Sequence, residues 1–227
     1  MVSMNRRHFV AAAAAGGVLL PATARADTGL LAFDVLRNGS RIGSHTLTLR
    51  RDGNRVESEI AIDLEVKIAF VTAYRYTHRN REVYVDDRLV SMRSRTDDNG
   101  DAYAVDAELR GDRLVVSGTD GTLELPPSIL PTTYWKPRMV DDGRWLNTQH
   151  GRVVEGRSER VGEETVLVGG KPVRCERYAI RGDIDLDLWY GPIGWTKLAF
   201  TVRGDNRIEY DRRPESDVAS LPQAIRA

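Results

Sequence analysis

Cysteine is nearly missing from this 227-residue sequence: Cys175 stands alone. A single thiol excludes an internal disulfide and any zinc knuckle, since both need at least two. There is no excess of charge of either sign, with 33 Lys and Arg against 33 Asp and Glu. That balance removes the clustered basic surplus of a nucleic-acid binder. Together with 41% hydrophobic residues, it also removes the composition of a disordered chain. Long apolar runs are absent too. The uncharged stretch from Val10 to Thr23 is too short to remain in a bilayer as a helix, which needs ~20 residues. Nucleophile signatures such as Gly-x-Ser-x-Gly, Ser-x-x-Lys and His-Glu-x-x-His do not occur, so no catalytic residue is assigned. No glycine-rich phosphate loop precedes a helical pattern, so no nucleotide or other cofactor is implied.

What is present begins with a distinct first segment. Arg6-Arg7 precede an alanine-rich apolar run, and Ala24-Arg25-Ala26 offers a small-x-small cleavage site before Asp27. Residues 1–26 therefore read as an export signal, and the paired arginines point to the twin-arginine machinery as the partner that carries it. Cleavage would remove three basic residues and no acidic ones, leaving a slightly acidic chain with a net charge of −3. The expected location is periplasmic or secreted, with no integral membrane segment in the processed chain.

Residues 27–227 read as one β domain, because period two dominates. Ile60, Ile62, Leu64, Val66, Ile68 and Phe70 occupy alternate positions, which scatter round a helix but share one face of a strand. The same register continues through Tyr74, Tyr76 and His78, as one long bent strand or two paired ones. Shorter alternations follow, including Val105 to Leu109, Ile184 to Tyr190 and Leu198 to Val202. Asn38-Gly39, Asp52-Gly53, Asn99-Gly100, Asp120-Gly121 and Asp142-Gly143 supply the positive φ that tight hairpins require. The predicted fold is all-β: a single strongly curved antiparallel sheet or incomplete barrel of about a dozen strands. Residues 126–137 carry four prolines and cannot form a central strand. They read as a short, partly helical plug or lid, with Ser128 as a helix cap, and 214–227 as a tail.

His45 shares the register of Leu47 and Leu49, and His78 that of Tyr74 and Tyr76, so both point toward the expected concave face. With Tyr134 and Trp135 of the plug, these six residues form the candidate ligand-binding set. Asp183, Asp185 and Asp187 read as a solvated strand face. Asp97, Asn99, Asp101 and Glu108 copy part of a calcium loop, but position six is Ala102 in place of the required glycine, so no metal site is assigned. Cys175 reads as a small buried hydrophobe.

Five stretches resemble a family of twin-arginine-exported bacterial proteins known only as a domain of unknown function. They are Asn38 to His45, Tyr74 to His78, Leu130 to Trp135, Asp187 to Gly191 and Ile208 to Tyr210. More distantly, the architecture is similar to the open barrels of periplasmic lipoprotein carriers, a resemblance that implies a concave face able to hold acyl chains. Fold analogy carries no activity with it. The functional expectation is an exported protein that binds an apolar or amphipathic small molecule or lipid in its concave face, and the sequence leans away from catalysis. Two other readings stay open: a small hydrolase or isomerase using His45 and His78, and a cell-envelope interaction module.

Overall fold

A computed structural model describes residues 27–202 and 204–216. The export signal at 1–26 and residues 217–227 of the expected tail lie outside the described residues. Alternation dictates the architecture. The first half of the domain contributes β1 (Asp27–Arg37), β2 (Ser40–Asp52), β3 (Arg55–Ile68), β4 (Val71–Val85), β5 (Arg88–Asp98), β6 (Asp101–Arg110), β7 (Arg113–Gly118) and β8 (Gly121–Leu125). The second contributes β9 (Leu130–Pro131), β10 (Arg144–Leu146), β11 (Val153–Val168), β12 (Lys171–Gly182), β13 (Leu186–Gly191), β14 (Gly194–Val202) and β15 (Asn206–Arg212). A short 3-10 turn, Pro137–Asp141, lies between β9 and β10.

All fifteen strands belong to one sheet, and β1 pairs with β15, so the first and last strands lie in its middle. Every pairing is antiparallel except that of β9 with β10. The free edges are β8 and β9. The turn after β7 meets the turn before β11 without a ladder: the amide of Thr119 donates to the carbonyl of His150 at 2.8 Å. The fold is therefore a strongly curved all-β sheet, and it is not a closed barrel.

Two differences from the expected strand count have local causes. The stretch from Asn54 to Asn99, free of glycine and proline, holds β3, β4 and β5. Its turns use non-glycine residues in the left-handed region, Ala69 (φ 55°) in one and Asp86 and Asp87 (φ 50° and 61°) in the other. Aspartate tolerates that region better than most side chains, so these hairpins carry no Asn-Gly or Asp-Gly signal. The remaining additions are the very short β9 and β10. The apolar row of β3 also outruns the core: Ile60 is buried, but beyond the bulge at Val66/Lys67 Ile68 is exposed, as is Phe70 in the turn.

Other details depart from the sequence reading. Asp183 to Asp185 form the turn before β13, with Asp185 accepting from the Gly182 amide at 3.2 Å. Only Asp187 of the expected aspartate face lies on the strand. It is largely buried and hydrogen-bonds Arg177 and Arg181 at 2.6 and 2.8 Å. Helical structure falls at Pro137–Asp141, with no side-chain cap, and Ser128 lies in a turn. Asp142-Gly143 leads into β10 and closes no hairpin.

The main core lies on the concave face, where Phe33, Leu47, Leu89, Leu114, Trp145 and Trp195 are fully buried. Each side chain of this size contributes roughly 1.5–3 kcal/mol on burial. A second, small cluster unites Cys175 with Trp189 and Ala199. At the near-closure, a Cβ on Gly118 would lie 2.4 Å from the His150 carbonyl oxygen and 2.7 Å from the Gly151 Cα. Gly118→Ala is therefore expected to force the end of β7 away from the turn before β11 and lower stability by about 1–3 kcal/mol, read as the urea midpoint. An unchanged midpoint would mean that the approach contributes nothing.

Candidate functional site

The proline-bearing segment packs into the concave face and touches opposite walls of the sheet. On the β4 side the indole N–H of Trp135 donates to Glu82 Oε2 at 3.4 Å, and its ring meets Tyr84 edge-on with 5.7 Å between centroids. On the β13 and β14 side Tyr190 donates its hydroxyl to the Tyr134 carbonyl at 2.7 Å, and Tyr134 packs against Trp195. Trp145 Nε1 donates to the Met139 carbonyl at 3.0 Å and secures the following 3-10 turn.

Glu82 is fully buried and surrounded by donors. Ser58 and Tyr84 hydroxyls reach Oε2 at 3.0 and 2.8 Å, and the Asn80 amide reaches Oε1 at 2.8 Å. A buried carboxyl group is tolerable only with such a complement. Lys136 Nζ lies 4.1 Å above the Tyr84 ring, with Asp87 as its ion-pair partner.

Beside the plug is a cavity of about 310 Å³, at the low end of ligand-site volumes. Its walls combine Ile62, Leu64, Leu198 and Phe200 with His45, His78 and four tyrosines: Tyr74, Tyr76, Tyr134 and Tyr210. Five of the six candidate binding residues thus line one space. The sixth, Trp135, is buried against Glu82 and does not line it. Alternation places the set: Tyr74, Tyr76 and His78 are successive inward positions of β4, and the β2–β3 register sets His45 opposite Ile62, itself opposite His78.

The polar groups differ in how they are satisfied. Tyr74 donates to Asp98 Oδ1 at 2.7 Å, Gln149 Nε2 donates to Asp98 Oδ2 at 3.2 Å, and Tyr76 donates to Gln149 Oε1 at 3.2 Å. This chain of bonds ties β4 and β5 to the turn before β11. His78 Nδ1 shares a hydrogen bond of 2.8 Å with Thr96, and its ring stacks on Tyr76. His45 is 2% exposed, sits among Phe33, Trp195 and Tyr210, and has no hydrogen-bond partner at either ring nitrogen among the described residues.

Burial keeps these groups neutral. It drives the His45 imidazole down to about 3, with a smaller contribution from neighbouring His78. It brings His78 down to about 4, assisted by Arg79. The Tyr134 phenol is pushed up to about 12 by burial, and Tyr76 and Tyr210 are raised as well.

A family model described as a domain of unknown function (DUF6134) matches residues 33–213. The chain belongs to that family. Among curated proteins there is no match. The matched DUF6134 region contains the cavity-lining residues, the plug and the β1–β15 seam.

Glu82, Asp98, Gln149 and Tyr210 were missing from the candidate set. The register that marks Tyr74, Tyr76 and His78 continues to Asn80, Glu82 and Tyr84, so Glu82 was within reach of the same alternation. Gln149 lies in an irregular turn and carries no periodic signal. A larger groove of about 880 Å³ covers the outer face of β2 to β7. Its arginines are already paired, Arg79 with Asp63, Arg81 with Glu57, and Arg93 and Arg95 with Asp106. Its positive charge is therefore largely, though not fully, offset by acids already in contact with it.

The two depressed histidines set the acid response. Unfolded imidazoles protonate near 6.5, whereas these remain neutral in the fold down to about 3 and 4. Their contribution is complete above the unfolded value and is lost as pH falls below it, at up to ~1.4 kcal/mol per pH unit for each ring. Carboxylates such as Asp187, which burial would raise but Arg181 and Arg177 hold low, act only below their unfolded value near 3.8. Urea unfolding should thus show a marked stability loss between about pH 7 and pH 5, roughly halved in His45→Leu. A flat profile in that window would contradict buried neutral imidazoles.

Proposed function

We propose that this DUF6134 domain is an exported binding protein that holds an apolar or amphipathic small molecule in the cavity between its concave face and the plug. The observation that carries this reading is the cavity itself. Its volume, its apolar wall and its neutral hydrogen-bonding side chains suit the partial burial of a small organic molecule. Export rests on the twin-arginine and cleavage pattern of residues 1–26 and places the binding step in the periplasm or outside the cell.

The test uses N-phenyl-1-naphthylamine, an uncharged dye that brightens in apolar surroundings, and native mass spectrometry of protein recovered from the osmotic-shock fraction. A saturable signal of one dye per chain is expected. Ile62→Trp, which places an indole in the cavity, should weaken dye binding at least tenfold, equivalent to about 1.4 kcal/mol. Absence of the chain from the shock fraction would remove the exported part of the proposal. No saturable dye binding, together with a mass spectrum of bare chain alone, would overturn the binding part.

A further inference from the structure

The cavity's chemistry narrows the class of ligand, an inference that rests on the binding reading above. Seventeen of the described residues line the space and none of them is Lys or Arg; the sole carboxyl group among them is that of Asp98. Both of its oxygens already accept hydrogen bonds, from Tyr74 and Gln149. An anionic head group would thus lose its hydration without meeting a cation, and would also face Asp98. A cationic head group at depth would find no free carboxylate. Burying an isolated ion of either sign is far costlier than burying a neutral group that regains its hydrogen bonds.

His45 supplies the missing recognition element. Its ring is buried and lines the cavity, and neither nitrogen meets a donor or acceptor among the described residues. A neutral imidazole offers one N–H donor and one acceptor nitrogen. Leaving both unpaired in a protein interior destabilises the fold, and such an orphan invites a functional explanation. The titratable groups that face this space from neighbouring elements are Tyr74, Tyr76 and His78 on β4, Asp98 on β5, Tyr134 on the plug and Tyr210 on β15. Of these, His78 is engaged with Thr96 and Tyr76 with Gln149. Ile62, Leu64, Leu198 and Phe200 form the apolar counterpart.

We infer that the cavity selects an uncharged, hydroxyl-bearing amphiphile, with the hydroxyl hydrogen-bonded to His45 and the hydrocarbon laid along the Ile62, Leu64 and Phe200 wall. A hydroxyl both donates and accepts, so it matches whichever imidazole nitrogen it meets. His45 is accordingly a recognition residue that the unliganded fold would be more stable without.

The experiment displaces N-phenyl-1-naphthylamine from the full-length protein near neutral pH with dodecanol, dodecanoate and dodecylamine, each below its aggregation threshold. Dodecanol should compete at least about thirtyfold better than either ion. Parity between dodecanol and dodecanoate, or between dodecanol and dodecylamine, would overturn the inference while leaving the binding proposal intact. His45→Leu should hold or raise its melting temperature and lose about tenfold more in dodecanol affinity than in dye affinity. His45→Gln, which retains a donor and an acceptor, should recover part of that loss. Unchanged dodecanol affinity in His45→Leu would contradict the assignment. Because the competition is run on the unsubstituted protein, it decides the question even if a variant folds poorly. Absence of dye binding altogether would overturn the binding proposal, and this inference with it.

Discussion

The hydrogen bond between Trp135 and Glu82 joins the plug to the sheet, and much of the architecture follows from that join. A curved sheet of fifteen strands with no closing ladder cannot cover its own concave face. The proline-bearing segment covers it from within, but prolines leave few backbone donors with which to pair to strands. Side chains take over that task. Four donors converge on one buried carboxyl group, and displacing Trp135 would remove one of them together with the edge-on contact of its ring with Tyr84. At the other wall Tyr190 holds the Tyr134 carbonyl. Anchored at both sides, the segment leaves the space bounded by His45, Tyr76 and Tyr134.

Charge is sorted between the two faces. On the outer face Arg79 stands opposite Arg95 and Arg81 opposite Arg93, a like-charge arrangement that is unfavourable unless acids intervene. Glu57, Asp63 and Asp106 provide them. Each such exposed pair is worth little alone, so their effect is to offset most of the positive charge of a basic strand pair. On the inner face the polar groups are imidazoles, phenols, hydroxyls and amides, with two acidic side chains, Glu82 and Asp98, each enclosed by donors, and one buried guanidinium, Arg212, which donates to the Ile193 and Trp195 carbonyls. That separation gives the cavity hydrogen-bonding capacity almost without formal charge.

The class of fold and the inward register were legible in the sequence because alternation reports directly on burial. Ile60, Ile62, Leu64, Tyr74, Tyr76 and His78 all belong to the concave side, as their spacing indicated. The hairpins at Ala69 and Asp86-Asp87 were not legible, since they take positive φ without the usual glycine. Nor was the role of Trp135: a sequence shows that an aromatic lies among prolines, not which carboxyl group it will meet from fifty-three positions away. The satisfaction of individual polar atoms is likewise a property of the packed structure. His45 and His78 look equivalent in the strand pattern, yet Thr96 satisfies one and nothing in the described chain satisfies the other.

The most direct test of this picture is the imidazole ¹⁵N spectrum of histidine-labelled protein, recorded from neutral pH to about pH 5, with and without dodecanol. The two buried rings should remain neutral across that range, as their depression to about 3 and 4 requires. Dodecanol should shift the ring nitrogens of His45 far more than those of His150. A His45 ring that protonates near the ordinary value of about 6.5, or one that ignores dodecanol while His150 responds, would contradict the picture.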